Sequence, residues 1–235
     1  MAVALLLVAT VLAAQDPSAD RIIGLLALPG VFGEGPCKPF EPRALTLYGD
    51  AGATRVIGTI EVDQEWSFAP HGGCEGLEVS VHEGEKRSEL PTREFEYEAP
   101  AAIVLDRRGE AYKIRLSGGR AGWVISRANR FMSVESLFEE FAGVTFFTDA
   151  FDGSLRAAAG LSVANKVIAE AKPAQPARLI ESRRVADHLW LHVEVFSHSL
   201  CDAAAKGPPE SVARGWLPAH APSGEPTIWF ASRGC

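Results

Sequence analysis

Three histidines, a cysteine and an aspartate crowd one stretch of the sequence: His188, His192, His198, Cys201 and Asp202. A Cys-His couple is the arrangement that makes a thiolate nucleophile, because the imidazole takes the thiol proton. His192 falls at a polar-facing position of an alternating run, Trp190-Leu191-His192-Val193-Glu194-Val195, where an exposed imidazole with no catalytic role is the ordinary outcome. A second candidate is Phe95-Glu96-Tyr97-Glu98, which sets Glu96 and Glu98 on one strand face about 7 Å apart. That separation suits acid/base work on a glycoside. No desolvating surround accompanies the pair, so a solvated strand face is the simpler reading. His71-Gly72-Gly73-Cys74 supplies two metal-ligand types without a Cys-x-x-Cys or a second pair, and no metal site is expected. Asp149-Ala150-Phe151-Asp152-Gly153 lacks the alternating acidic spacing and closing Glu of a calcium loop. Neither a phosphate-cradling Gly-rich loop nor a dinucleotide fingerprint occurs. The chain is therefore expected to be no enzyme and to need no cofactor. An exported hydrolase using His192 with Cys201, or Glu96 with Glu98, is the alternative.

The elements that would position these residues are written twice. One copy runs Ile103-Val104-Leu105-Asp106-Arg107-Arg108, Ala111-Tyr112-Lys113-Ile114-Arg115-Leu116 and Gly122-Trp123-Val124. The other runs Leu179-Ile180-Glu181-Ser182-Arg183-Arg184, Trp190-Leu191-His192-Val193-Glu194-Val195 and Gly215-Trp216-Leu217. Upstream, Leu47-Tyr48-Gly49-Asp50-Ala51-Gly52 stands to the first copy as Leu155-Arg156-Ala157-Ala158-Ala159-Gly160 stands to the second. A repeat at this scale means two copies of one small all-β unit. In the first, strands are expected near Ala44–Tyr48, Arg55–Glu61, Leu77–His82, Phe95–Glu98, Ala102–Asp106, Tyr112–Leu116 and Gly122–Ile125. Arg107-Arg108-Gly109-Glu110 and Ser117-Gly118-Gly119-Arg120 carry turn chemistry. Between the units, Val134, Leu137, Phe138 and Phe141 recur at helical spacing behind Ser133 and Ser136, which predicts a short amphipathic helix packed against the β units. No Gly/Ser-rich or Pro-rich linker separates the copies. Thr227-Ile228-Trp229-Phe230 reads as a closing strand.

Met1 to Ala14 holds no charge and is apolar through Val3-Ala4-Leu5-Leu6-Leu7-Val8, the pattern of a signal-peptide core with Ala9, Ala13 and Ala14 suited to cleavage, although the usual preceding Lys or Arg is missing. An extracytoplasmic, periplasmic or secreted location is expected, with no stable membrane insertion after leader removal. Cys37, Cys74, Cys201 and Cys235 are then candidates for disulfides. Four cysteines allow three connectivities; local pairing, Cys37 with Cys74 and Cys201 with Cys235, is favoured. The formal net charge is −7, and Glu61 to Glu98 alone carries eleven acidic against three basic residues. A field of that sign disfavours nucleic acid as a partner. The expected organisation is a leader over 1–14, a first unit over 15–132 with an acidic insertion at 61–98, a helical connector over 133–146 and a second unit over 147–235.

A short strand closed by a Gly turn, an apolar strand, an aromatic strand such as Leu189-Trp190-Leu191-His192-Val193 and a strand entered through Gly-Trp resemble the bacterial SH3-like domains of exported proteins. The resemblance covers roughly Ala44–Arg127 and Phe147–Phe230. It implies an all-β fold of two tandem SH3-like small β barrels with a short connecting helix. It also implies a non-catalytic binding or scaffolding module at the cell envelope, with peptidoglycan, a peptide or an envelope protein as partner. The ligand groove it implies would be lined by Tyr48, Tyr112, Trp190 and Trp216, each with a core-packing alternative. The copies differ where the first has Ala111 and the second Trp190, and where the first carries the acidic insertion. A structural or inhibitory partner role through that insertion is a further expectation.

Overall fold

The computed structural model describes residues 21–28, 44–68, 74–96, 99–127, 130–140, 145–160, 165–202 and 206–230. The expected leader, Cys37 and Cys235 lie outside them. The described residues are all-β apart from one α-helix and short 3-10 turns. In chain order the strands are β1 (Gly24–Ala27), β2 (Ala44–Tyr48), β3 (Val56–Phe68), β4 (Cys74–Glu83), β5 (Lys86–Glu89), β6 (Thr92–Glu96), β7 (Ala99–Arg108), β8 (Ala111–Arg115), β9 (Ala121–Ile125) and β10 (Phe131–Ser133). After α1 (Val134–Glu140) come β11 (Thr145–Phe147), β12 (Ser154–Arg156), β13 (Val167–Glu170), β14 (Pro176–Val185), β15 (His188–Phe196), β16 (Ser211–Pro218) and β17 (Ile228–Phe230).

The strands form two antiparallel sheets that share one topology. The second is ordered β13-β12-β16-β15-β14-β11-β17; the first contains β3-β2-β9-β8-β7-β1-β10 in the corresponding places, and the inserted β4 and β5 extend it beyond β3. Taken in chain order, β1, β2, β3, β7, β8, β9 and β10 match β11 to β17 one for one. Even the irregularities repeat. Ladder shifts fall at Leu47/Tyr48 and Leu155/Arg156, and again at Val104/Asp106 and Leu179/Glu181, so Leu105 and Ile180 are equivalent bulge residues. A bulge re-aims the strand and fixes its register, so four bulges at two equivalent sites mark one design used twice.

The Gly-Trp signature has a steric cause. A Cβ on Gly122 would meet Cδ1 of Leu47 at 2.6 Å, and one on Gly215 would meet Cβ of Leu155 at 2.8 Å. In each copy glycine lets a buried leucine of the neighbouring strand fill the space above the ladder. The hairpin tips differ: Gly109 takes φ 63° in the first, whereas Ala186 is held at φ 52° in the second, a left-handed conformation that costs a residue with Cβ about 1 kcal/mol.

Neither sheet closes into a barrel among the described residues, which corrects the expected tandem barrels. Closure would require the terminal strands of each path to pair with each other. Instead the second path stops at β13 and β17, and the insertion prolongs the first to β5. The cores are made another way. Leu26, Leu47, Val104, Tyr112, Ile114 and Val124 of the first unit pack with Val79, Val81 and Leu90 of the insertion, so the acidic segment turns an apolar face inward. The second unit's Leu155, Leu191, Val193 and Leu217 belong to a cluster that continues through α1 (Val134, Leu137, Phe138) to Leu25, Ile103 and Leu105 of the first unit.

The helix forms where the spacing placed it. The Ser133 hydroxyl accepts the Ser136 N–H at 3.0 Å and caps it, and Val134, Leu137 and Phe138 are its buried face. β1, outside the expected strands, lies fully buried between β7 and β10. The strand expected at Phe95–Glu98 is β6, Thr92–Glu96, paired with β7.

Candidate functional site

The expected groove residues separate. Leu47, Val124 and Tyr112 stand opposite one another across β2, β9 and β8, whereas Tyr48, Trp123 and Lys113 form the next row. Successive strand residues point to opposite faces, so Tyr48 and Tyr112 lie on opposite sides of the first sheet. Tyr112 is buried in the core and Tyr48 is half-buried. Trp190 and Trp216 share the outer face of the second sheet, and both are buried.

What that outer face presents is a ladder of cations, aromatics and carboxylates. His192 stacks on Trp216 with ring centroids 4.9 Å apart and planes 9° from parallel. The Arg183 guanidinium lies 5.1 Å from the Trp216 centroid, and Glu181 sits 3.6 Å from His192 Nδ1 and 3.8 Å from Arg183. The first unit repeats the arginine on the tryptophan: Arg108 lies 5.1 Å from the Trp123 centroid, with Lys113 and Asp106 in the register positions of His192 and Glu181. Two rows along, buried Glu194 accepts hydrogen bonds from Arg178 at 2.5 Å and from Arg214 at 2.5 and 3.0 Å. The Arg214 hydrogen bond, then the Ser211 hydroxyl and Arg178, hold its carboxyl down at about 2 against desolvation.

The hydrolase candidates are each accounted for differently. His192 is engaged by Trp216 and Glu181, as described. Among the described residues no cysteine is a free thiol, so Cys201 lacks the thiol that a Cys-His nucleophile needs. Cys235 and Glu98 lie outside the described residues, and the side chains of Cys74 and Glu96 are likewise not described. His198 is held between the Ser197 hydroxyl and the Gly207 carbonyl, each at 3.0 Å. Nε2–H donates to that carbonyl, and in the neutral ring Nδ1 then accepts the Ser197 O–H. That contact joins the two ends of the loop, since Ser197 Oγ also accepts the Glu210 N–H at 3.1 Å. In the insertion, Ser80 Oγ lies 3.0 Å and Glu61 3.5 Å from the same nitrogen of His82, Nε2. A relay needs the carboxylate on the other ring nitrogen, and Ser80 is completely buried. No group of three or more His, Cys, Asp or Glu side chains able to hold a metal ion occurs among the described residues. No helix among them is long and apolar enough to cross a membrane.

The junction of the units carries polar chemistry the sequence did not signal. Glu225 of the second unit accepts hydrogen bonds from Arg93 at 2.9 Å and Arg115 at 2.5 Å, both from the first. Arg93 also lies 4.7 Å above the Trp229 ring, and Arg184 donates to Glu135 of α1 at 2.7 Å. Ile22 N–H donates to the Gly224 carbonyl at 3.1 Å, while its own carbonyl accepts from His220 Nε2 at 2.7 Å. Burial pushes the His220 pKa down to about 4; the Ile22 hydrogen bond and Glu225 oppose that, and Arg21 and Arg184 add to it.

No protein-family model matches the chain, no curated protein matches it, and no solved structure matches its fold.

Proposed function

We propose that the chain is a non-catalytic, extracytoplasmic binding or scaffolding module at the cell envelope, and that its second unit makes the contact. The observation that carries this reading is the difference between two equivalent sheet faces. On the first unit three outer positions of β7 and β9 are apolar and covered: Ile103, Leu105 and Ala121 pack into the cluster shared with α1 and the second unit. On the second unit the equivalent positions hold Arg178, Ile180 and Arg214, all exposed. A sheet face used for docking in one copy and left open in the other is what a binding module needs. SH3-like kinship of each unit, with a cell-wall or peptide ligand, belongs to the same proposal.

Cosedimentation with purified peptidoglycan tests the wall form, with Tyr48→Ala and Trp216→Ala beside the wild type. Retention of the wild type and loss in Trp216→Ala but not Tyr48→Ala is expected, since Trp216 supports the open face. Failure of the folded wild type to be retained contradicts the wall-binding form. Turnover of a glycoside or peptide substrate by the purified chain contradicts the non-catalytic reading and favours the hydrolase.

A further inference from the structure

The first unit shows what its outer sheet face is for. Beneath α1 and the second unit it offers apolar side chains from β7 and β9, and from β8 it offers Arg115, whose guanidinium grips the Glu225 carboxylate together with Arg93. Carrying each position across by the shared register gives the second unit's version of that face. Arg178 replaces Ile103, Ile180 replaces Leu105, Glu194 replaces Arg115 and Arg214 replaces Ala121. The side chains of Arg178, Arg183 and Arg214 are 54%, 59% and 63% exposed. Ile180 and Val212, both large and apolar, are 45% and 52% exposed. Glu194, the one carboxylate buried among them, is already satisfied by two arginines, which leaves their outward N–H groups to face a partner.

We propose that this face, Arg178, Ile180, Arg183, Val212 and Arg214, docks a partner protein through an extended carboxylate-rich segment that also presents an apolar side chain to Ile180. The inference rests on the binding-module reading and names its partner. Guanidinium forks match carboxylates in two-point geometry, and the protein uses that pairing on the first unit's face, where Glu225 is the carboxylate. The acidity of the whole chain does not oppose it. The eleven acidic residues between Glu61 and Glu98 belong to the first unit's insertion, and screening confines their field to about 8 Å at physiological ionic strength.

The experiment is fluorescence anisotropy on the full chain with a labelled peptide of alternating Glu and Leu, beside its Gln-for-Glu counterpart. Ile180→Glu and Arg183→Glu add negative charge to the face without touching the Glu194 clamp. Val56→Glu makes the same kind of change at an exposed apolar residue of the first unit. The Glu peptide should bind, more weakly as salt rises, with a loss of at least about ten-fold in Ile180→Glu and Arg183→Glu and none in Val56→Glu. Near-UV circular dichroism confirms folding, and Ile180→Ser, a milder change, should still weaken binding measurably. Equal binding of the Gln peptide, or unchanged binding by Ile180→Glu, overturns the proposal. Retention on peptidoglycan without Glu-peptide binding overturns the acidic protein partner and leaves the binding module standing, whereas failure of both removes both.

Discussion

Alanine at Gly122 and at Gly215 makes the same chemical change at equivalent positions, yet the two should differ in cost. At Gly122 the new methyl would meet the tip of Leu47, with Cδ1 at 2.6 Å and Cγ at 3.1 Å, and a side-chain tip can rotate away. At Gly215 it would meet Leu155 Cβ at 2.8 Å and the Arg156 carbonyl at 3.2 Å, which move only with the backbone. Overpacking a dense core costs about 1–3 kcal/mol, and replacing glycine in a strand returns about 0.5–1 kcal/mol of chain entropy. Gly215→Ala should therefore lose about 2 kcal/mol net and Gly122→Ala under about 1 kcal/mol. For a chain of this size the former lowers Tm by about 4–8 °C. Urea unfolding and calorimetry supply the values, and the shared hydrophobic cluster predicts one transition for both units. In a Leu47→Ala background, where the clashing atoms are gone, Gly122→Ala should become neutral or stabilising. A larger loss at Gly122 than at Gly215, or no relief in that background, refutes the steric account of the Gly-Trp signature.

Three further outcomes follow from the junction and the loop. His220 is neutral in the fold down to about pH 4 while the unfolded chain takes its proton near 6.5. Stability is then complete above pH 6.5 and falls by about 3 kcal/mol as pH drops to 4; urea midpoints across that window should show the slope, and His220→Gln should flatten it. Glu225→Gln weakens the grip of Arg93 and Arg115 at the junction and should lower stability by about 1–3 kcal/mol, whereas Asp202→Asn, at an exposed pair with Lys206, should change it by less than about 1 kcal/mol. Thiol quantification on the denatured, unreduced protein should find no free thiol, and peptide mapping should join Cys201 to Cys235; a free Cys201 contradicts the local pairing and raises the hydrolase alternative.

Legibility in the sequence followed the kind of signal each feature leaves. The duplication was readable because Arg-Arg strand ends and Gly-Trp entries are fixed by steric and stacking demands that recur in both copies. The helix was readable from Val134, Leu137 and Phe138 behind Ser133. β1 had a signal too, the apolar run Ile22-Ile23-Gly24-Leu25-Leu26-Ala27, which without alternation marks a strand buried on both faces. Sheet closure was not readable, because it depends on which edges meet far apart in sequence. The faces of the four aromatics were not readable either, because a tyrosine or tryptophan on a strand looks alike whether its face is open or covered. The open arginine face was hidden for a related reason. Arg178 and Arg214 flank Glu194 only once three strands pair, and their exposure has meaning only beside the covered Ile103 and Ala121 of the other copy.

The claim that the second unit's outer face is the contact surface is tested most directly by placing a photoreactive residue at Ile180 in the protein produced in its own cells, with the same residue at Val56 as comparison. Irradiation in the intact envelope should yield a discrete adduct from position 180 and none from position 56. Equal labelling from both positions, or an adduct from position 56 alone, would contradict it.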